Sequence, residues 1–289
     1  MGKIGLGLAA LGRPEYINIR TDESIDKSKE AFKRNTFKVL DVAYQQGVRY
    51  FDTAPSYGLG EKFLFDWNEL RKHPDARLGT KWGYTYVANW ELGYQGAHEI
   101  KEHSIEKLKE QWEVSKQLLP ALEIYQIHSA TLESGVLENQ EVLDKLMQIK
   151  KLTGVKIGMT SSGPNQPTII RKALKISIDG EVLFDSFQAT YNILEQSCFD
   201  ILLEAKTKGK FILVKEALAN GRVFKNKSFK HYNPLYDQLQ KLSIKYDVGP
   251  DAIALRFCMD TLNPDIVLSG AANITELQQN LKAERFKLK

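Results

Sequence analysis

The strongest constraint in this chain is a rhythm: short apolar runs separated by longer segments in which apolar side chains recur at helical spacing. The runs fall at residues 4–8, 48–52, 76–81, 122–128, 155–160, 185–189, 211–214 and 266–269. Several are almost wholly apolar, as strands covered on both faces are. Between them, Phe32, Val39, Leu40 and Ala43 share one helical face ahead of Gly47. Ile105, Leu108, Trp112 and Leu119 share another, ended by Pro120, and Val142, Leu143, Leu146 and Met147 make a third. Ile253, Leu255 and Phe257 lie in a later, more evenly apolar helix. Such alternation suits a closed parallel (β/α)8 TIM barrel of the α/β class, or an open doubly wound sheet with five to seven strands. Eight runs favour the barrel.

No Pro-, Gly- or Ser-rich linker divides the sequence, so residues 1–289 read as a single domain. Two local departures are expected. Ile178-Asp179-Gly180-Glu181 reads as a turn or small hairpin before the sixth strand, and residues 82–103 as a long loop rich in Trp, Tyr and Gly.

Composition narrows the partners. Hydrophobic residues make up 43% and charged residues 26%, which supports a large core rather than a disordered chain. The net charge of +4 gathers nowhere more densely than at Lys206, Lys208 and Lys210, which read as a solvated helix end; no nucleic-acid partner is expected. Two cysteines, Cys198 and Cys258, imply a reducing compartment. The start, Met-Gly-Lys-Ile-Gly-Leu-Gly, carries no signal-peptide pattern, and no apolar run is long enough for a membrane span. A cytoplasmic protein without a membrane partner, monomeric by default, is the expectation.

In a barrel the active site forms at the C-terminal ends of the strands. Three successive predicted strands end there in ionisable residues, Asp52, Lys81 and His128, with Tyr57 in the adjoining loop. Singly, these read as a helix N-cap, a surface lysine, a core histidine and a turn tyrosine; together, they suggest proton exchange with an oxygen. A free tyrosine has a pKa near ~10. The Lys81 ammonium is expected to lower it, with Asp52 holding Lys81 and His128 meeting the substrate oxygen. Of the five histidines, at 73, 98, 103, 128 and 231, only one ends a predicted strand, so a metal-dependent hydrolase is disfavoured and no metal is expected. Gly5-Leu6-Gly7 does not open a G-x-G-x-x-G run, because Ala10 stands at the last glycine position.

The segment Phe51-Asp52-Thr53-Ala54-Pro55-Ser56-Tyr57-Gly58, with Gly79-Thr80-Lys81 and Ile127-His128, resembles the strand motifs of the aldo-keto reductase superfamily. The resemblance runs from Gly5-Leu6-Gly7 to Ser269-Gly270-Ala271-Ala272-Asn273. It implies a hydride exchanged between NADPH or NADH and a small aldehyde, ketone or sugar. In the implied tetrad Tyr57 donates the proton, Lys81 tunes it, Asp52 orients Lys81 and His128 orients the carbonyl. It further implies Thr160, Ser161 and Gln188 at the nicotinamide amide, with Thr160-Ser161 where Ser-Asn is usual.

Lys215 stands where the family usually has a stacking aromatic. It offers a cation to a pyrophosphate or substrate anion, or is an ordinary surface residue; Leu218 follows on the same loop. Gly270, Asn273, Glu276, Gln279 and Asn280 fall at the implied adenosine end, with Asn273 and Glu276 spaced as a capping box. Glu276 replaces an arginine common in phosphate-binding members, which leaves NADH and NADPH both open. Trp82 and Tyr84 are the candidate substrate-pocket walls, although the aromatics of this loop equally suit packing onto the barrel. Some superfamily members are auxiliary subunits, so a cofactor-binding redox sensor with little turnover is the alternative.

Overall fold

The apolar runs become strands within one residue or two of the expected bounds in the computed structural model, which describes residues 2–15 and 26–289. The strands are β1 (Lys3–Gly7), β2 (Tyr50–Asp52), β3 (Arg77–Trp82), β4 (Tyr84–Tyr86), β5 (Glu99–Lys101), β6 (Leu122–Ala130), β7 (Lys156–Ser161), β8 (Ser177–Ile178), β9 (Glu181–Val182), β10 (Ser186–Thr190), β11 (Phe211–Lys215) and β12 (Ile266–Ser269). Eight of them, in the order β1-β2-β3-β6-β7-β10-β11-β12, pair in parallel and close back onto β1. The fold is therefore a (β/α)8 barrel, not an open sheet.

The helices are α1 (Lys29–Gln45), α2 (Gly60–Arg71), α3 (Ile105–Ser115), α4 (Gln140–Thr153), α5 (Gln166–Ala173), α6 (Phe199–Thr207), α7 (Asn233–Tyr246), α8 (Pro250–Thr261) and α9 (Ile274–Leu281). The first, third and fourth begin at side-chain caps, Ser28, Ser104 and Asn139, each accepting a backbone N–H of the first turn. Among the described residues no helix is long and apolar enough to cross a membrane. Cys198 and Cys258 are both buried and unbridged.

The barrel has two apolar layers and two chemically different ends. Outside the strands a continuous cluster packs the helices on; inside, Tyr50, Ile124, Leu213, Ile266 and Leu268 form a separate plug. Beneath the plug Glu123 accepts from Arg77 and from Lys156, both at 2.7 Å, and Arg77 lies 5.4 Å from the Phe211 ring centroid. The opposite, C-terminal end carries polar side chains inward. Strand alternation decides which: Lys81 points into the barrel, so Trp82 must point out.

The hairpin expected near residue 180 is present as β8 and β9. The long loop after β3 is not wholly irregular. Its two ends pair as the antiparallel ribbon β4–β5, with Tyr84 opposite Lys101 and Tyr86 opposite Glu99. Strands of three residues carry too little alternation to be read ahead of the structure.

The plug makes one glycine sterically obligatory. A Cβ on Gly79 would lie 2.0 Å from the hydroxyl of the fully buried Tyr50. Gly79→Ala should therefore destabilise the fold by about 1–3 kcal/mol through overpacking, read as a lower urea midpoint with an unchanged slope.

Candidate active site

The C-terminal mouth is organised by a buried ion pair. Asp52 ends β2 and Lys81 lies next to the end of β3; they are 2% and 0% exposed. Lys81 Nζ donates to Asp52 Oδ2 and, at 2.8 Å, to the carbonyl of Thr53. The other carboxylate oxygen, Oδ1, accepts from Gln188 at 3.1 Å and Gln126 at 3.3 Å. Four strands thus meet at one carboxylate.

The loop from β2 to α2 carries Tyr57 back over this pair. Close backbone approach holds it there: Leu59 N donates to Gly12 O at 2.7 Å, and a Cβ on Gly12 would lie 2.1 Å from the carbonyl of Tyr57. The Tyr57 ring centroid is 4.8 Å from Lys81 Nζ and 5.8 Å from Arg13 Cζ. The His128 ring meets it edge-on, with centroids 5.6 Å apart and planes at 86°. Just beyond His128, Ser129 takes a positive φ of 48° and donates its N–H to Thr160 Oγ1 at 2.7 Å, where the β6–β7 register shifts. From outside, His103 Nε2 donates to the carbonyl of His128 at 2.9 Å. The four residues expected to act together are therefore brought to one place.

The electrostatics differ from the expectation in sign. Burial pushes the Tyr57 phenol well above its ordinary pKa, and the Asp52 carboxylate adds to the rise. Asp52 offsets the Lys81 charge that was expected to lower it, so desolvation wins. His128 is pushed the other way, well below its usual value, first by burial and then by the Lys81 and Lys215 ammonium groups. A neutral phenol and a neutral imidazole therefore face the mouth.

A cavity of about 580 Å³ runs from Tyr57 and His128 to the start of α9. Of the residues expected at a cofactor, Thr160, Gln188, Lys215, Leu218, Gly270, Glu276, Gln279 and Asn280 stand on its wall. Ser161 does not. It follows Thr160 on a strand, turns outward, is fully buried, and donates to Gln166 Oε1 at 3.5 Å; Ser162 and Ser129 stand on the wall instead. Asn273 is also off the wall. It caps α9, its Oδ1 accepting from Glu276 N at 2.9 Å.

The two aromatic wall candidates are corrected as well. Trp82 is fully buried in the outer core, edge-on to His103, because alternation turns it away from the mouth. Tyr84 stands behind His128, ring centroids 4.8 Å apart, rather than on the cavity wall.

Lys215 Nζ is held inside the cavity by Glu216 at 2.7 Å, Thr190 Oγ1 at 3.0 Å and Ser162 Oγ at 3.1 Å. At the far end, Glu276 completes the capping box: Oε2 accepts from Ala272 N at 2.9 Å and Oε1 from Asn273 Nδ2 at 3.0 Å. Asn280 Nδ2 donates to Ser269 Oγ at 2.8 Å. Sequence reasoning missed Arg13, Glu99, Glu216, Phe224 and Asp251, all on the wall. Glu216 had a signal, adjoining a candidate; Glu99 had none, since its strand was unread.

The cavity fits an elongated polar ligand such as a nicotinamide dinucleotide. Amide, hydroxyl, ammonium and carboxylate groups line it from the strand ends to α9, and an added Cβ at Gly270 would meet nothing within 4 Å. Among the described residues no cluster of three or more His, Cys, Asp or Glu could hold a metal ion.

Comparison with known proteins agrees with this geometry. The model of the aldo/keto reductase family matches residues 3–289. "Uncharacterized oxidoreductase YqkF" of Bacillus subtilis (strain 168) is 23% identical over 261 residues, covering 87% of this chain and 82% of that protein. "Aldo-keto reductase YhdN" of the same organism is 22% identical over 302 residues, covering 96% and 83%. Among solved structures, the aldo-keto reductase AKR11C1 from Bacillus halodurans, in its holo form, superposes with a TM-score of 0.71 at 23% identity, covering 99% of this chain and 88% of that one. The glycerol dehydrogenase AKR11B4 from Gluconobacter oxydans gives 0.71 at 19% identity, covering 99% and 87%. A family match across nearly the whole chain, on a closed barrel with these four side chains at its mouth, makes this protein a member of the aldo/keto reductase family, an oxidoreductase.

Proposed function

We propose that this chain, acting as a single domain over residues 1–289, interconverts the carbonyl of a small aldehyde, ketone or sugar with its alcohol, using a nicotinamide dinucleotide. The observation that carries the reading is the Tyr57 phenol on the cavity wall, 4.8 Å from Lys81 Nζ at its ring centroid and edge-on to His128. A bound nicotinamide dinucleotide supplies the hydride that the carbonyl carbon takes up. Tyr57, kept protonated by burial, donates its proton to the oxygen. Lys81 then lies beside the phenolate left behind, and Asp52 holds Lys81 in position. Ser56 Oγ lies 3.4 Å from His128 Nδ1; with the Ser56 hydroxyl as donor, His128 carries its proton on Nε2 and can donate it to the substrate oxygen. Buried, unbridged Cys198 and Cys258 support a reducing, cytoplasmic setting. A monomer is the default assignment.

Thr160, Gln188, Ser129 and Ser162 would hold the nicotinamide amide, and Gln279, Asn280 and Asp251 the adenosine. NADH is the better partner for this far end. The Glu276 carboxylate stands on the cavity wall at this end, already holding the Ala272 N–H and the Asn273 amide, and would repel a 2′-phosphate. A ribose 2′-hydroxyl instead donates to a carboxylate. In fluorescence titrations NADH should bind about tenfold or more tightly than NADPH, and Glu276→Arg should shrink or reverse that ratio. Equal affinities in the wild type would overturn the assignment.

Tyr57→Phe should leave cofactor affinity nearly unchanged and lower kcat by about 10²–10⁴. Comparable turnover in that variant would remove the acid role, and cofactor binding without turnover of any aldehyde or ketone by the wild type would favour the sensor reading.

The depressed histidines also predict acid sensitivity. Burial lowers His103 to about 4 and His128 well below its usual value. Below the unfolded value of about 6.5, the unfolded chain binds protons that the native one excludes. This share of stability is full above that pH and is lost as pH falls toward 4, read as a decreasing urea midpoint. His103→Gln should flatten that slope between pH 7 and 4.

A further inference from the structure

The half of the cavity beside Tyr57 is charged, and the aromatics of the loop after β3, which suited either the pocket or packing onto the barrel, pack elsewhere. Trp82 is buried behind β3; Trp90 Nε1 donates to the carbonyl of Lys27 at 2.8 Å; the Tyr94 ring packs against His98, centroids 5.6 Å apart. None of the three stands on the cavity wall. In their place are Arg13, from the loop after β1, and Glu99, the first residue of β5. Arg13 Nη1 donates to Glu99 Oε1 at 2.5 Å, and the two side chains are 6% and 23% exposed. Arg13 Cζ lies 5.8 Å from the Tyr57 ring centroid, so the pair borders the phenol itself.

We propose that the Arg13–Glu99 ion pair determines substrate choice by reading a hydroxyl group next to the reacting carbonyl, so that the preferred substrates are small, uncharged hydroxy-aldehydes or hydroxy-ketones. This rests on the carbonyl-oxidoreductase reading above. A hydroxyl matches both partners at once: it donates to the Glu99 carboxylate and accepts from the Arg13 guanidinium without parting them. An alkyl chain in the same position takes water from two charges and returns no hydrogen bond. A carboxylate bound to Arg13 must displace Glu99 or sit beside it, and the other cation on this wall, Lys215, is already paired with Glu216 at 2.7 Å. The ribbon β4–β5 supplies Glu99, so the insertion after β3 contributes a specificity-determining side chain to the mouth.

The test compares DL-glyceraldehyde with propanal, which have the same carbon skeleton, and with glyoxylate as the anionic probe. The wild type should favour glyceraldehyde over propanal by about tenfold or more in kcat/KM, mostly through KM. Glu99→Gln and Arg13→Met should each reduce that ratio about tenfold. A purely structural role would weaken both substrates alike and leave the ratio unchanged, which overturns the proposal, as would a wild-type preference for propanal or glyoxylate. Saturation-transfer NMR with glycerol against 1-propanol separates this proposal from the carbonyl-oxidoreductase reading. If no carbonyl is turned over but the glycerol signal exceeds that of propanol and falls in Glu99→Gln, the hydroxyl site stands and the reaction assignment fails. Equal signals in the wild type and in Glu99→Gln overturn the hydroxyl site.

Discussion

Removing an ammonium and a carboxylate from water costs several kcal/mol per ion unless their hydrogen-bonding capacity is met, and the barrel's upper end is built around meeting it for Lys81 and Asp52. Thr53 takes a Lys81 proton, and Gln126 and Gln188 cover the second oxygen of Asp52. These partners come from β6, β10 and the turn after β2, so the observed register is one that satisfies the pair. The same arrangement fixes the loop that carries Tyr57. A stability requirement and the geometry of the mouth are therefore one constraint.

That constraint also sets which protonation states the mouth presents. With Lys81 offset by Asp52, burial dominates at Tyr57 and raises its pKa, while burial first, and then two neighbouring ammonium groups, lower that of His128. A proton can then leave the phenol only as negative charge develops on a nearby oxygen and the Lys81 ammonium becomes its counterpart. The apolar plug and the Arg77–Glu123–Lys156 group seal the opposite end, leaving one open mouth. Chemistry and closure are divided between the two ends, as strand direction in a parallel barrel dictates.

The cavity wall shows a second division, along its length. Near α9 the Glu276 carboxylate is held by its own capping box, a local structure that serves the helix and at the same time puts negative charge at the far end. In the middle, Lys215 is tied to Glu216 and two hydroxyls. Beside Tyr57 the ion pair of Arg13 and Glu99 borders the mouth. The wall is charged at each of these points, with charges of both signs paired or capped by neighbours.

Much of this was legible before any coordinates. The alternation of apolar runs marked all eight barrel strands, because strands covered on both faces are largely apolar away from the polar mouth. Asp52, Lys81 and His128 stood out because ionisable residues directly after such runs fall at one end of a parallel sheet. Local spacing likewise disclosed the Asn273–Glu276 cap and the turn near residue 180. Facing was harder. Ser161 sits between two wall residues and Trp82 follows the inward-pointing Lys81, but both turn outward, since one position along a strand reverses the face. Arg13 and Glu99 are separated by 86 positions and meet only through the ribbon β4–β5, whose strands are too short to leave a periodic trace. The sign of the Tyr57 shift was equally beyond reach. A sequence names the charges that surround a group, whereas the depth of burial that outweighs them exists only once the loops have closed over the barrel.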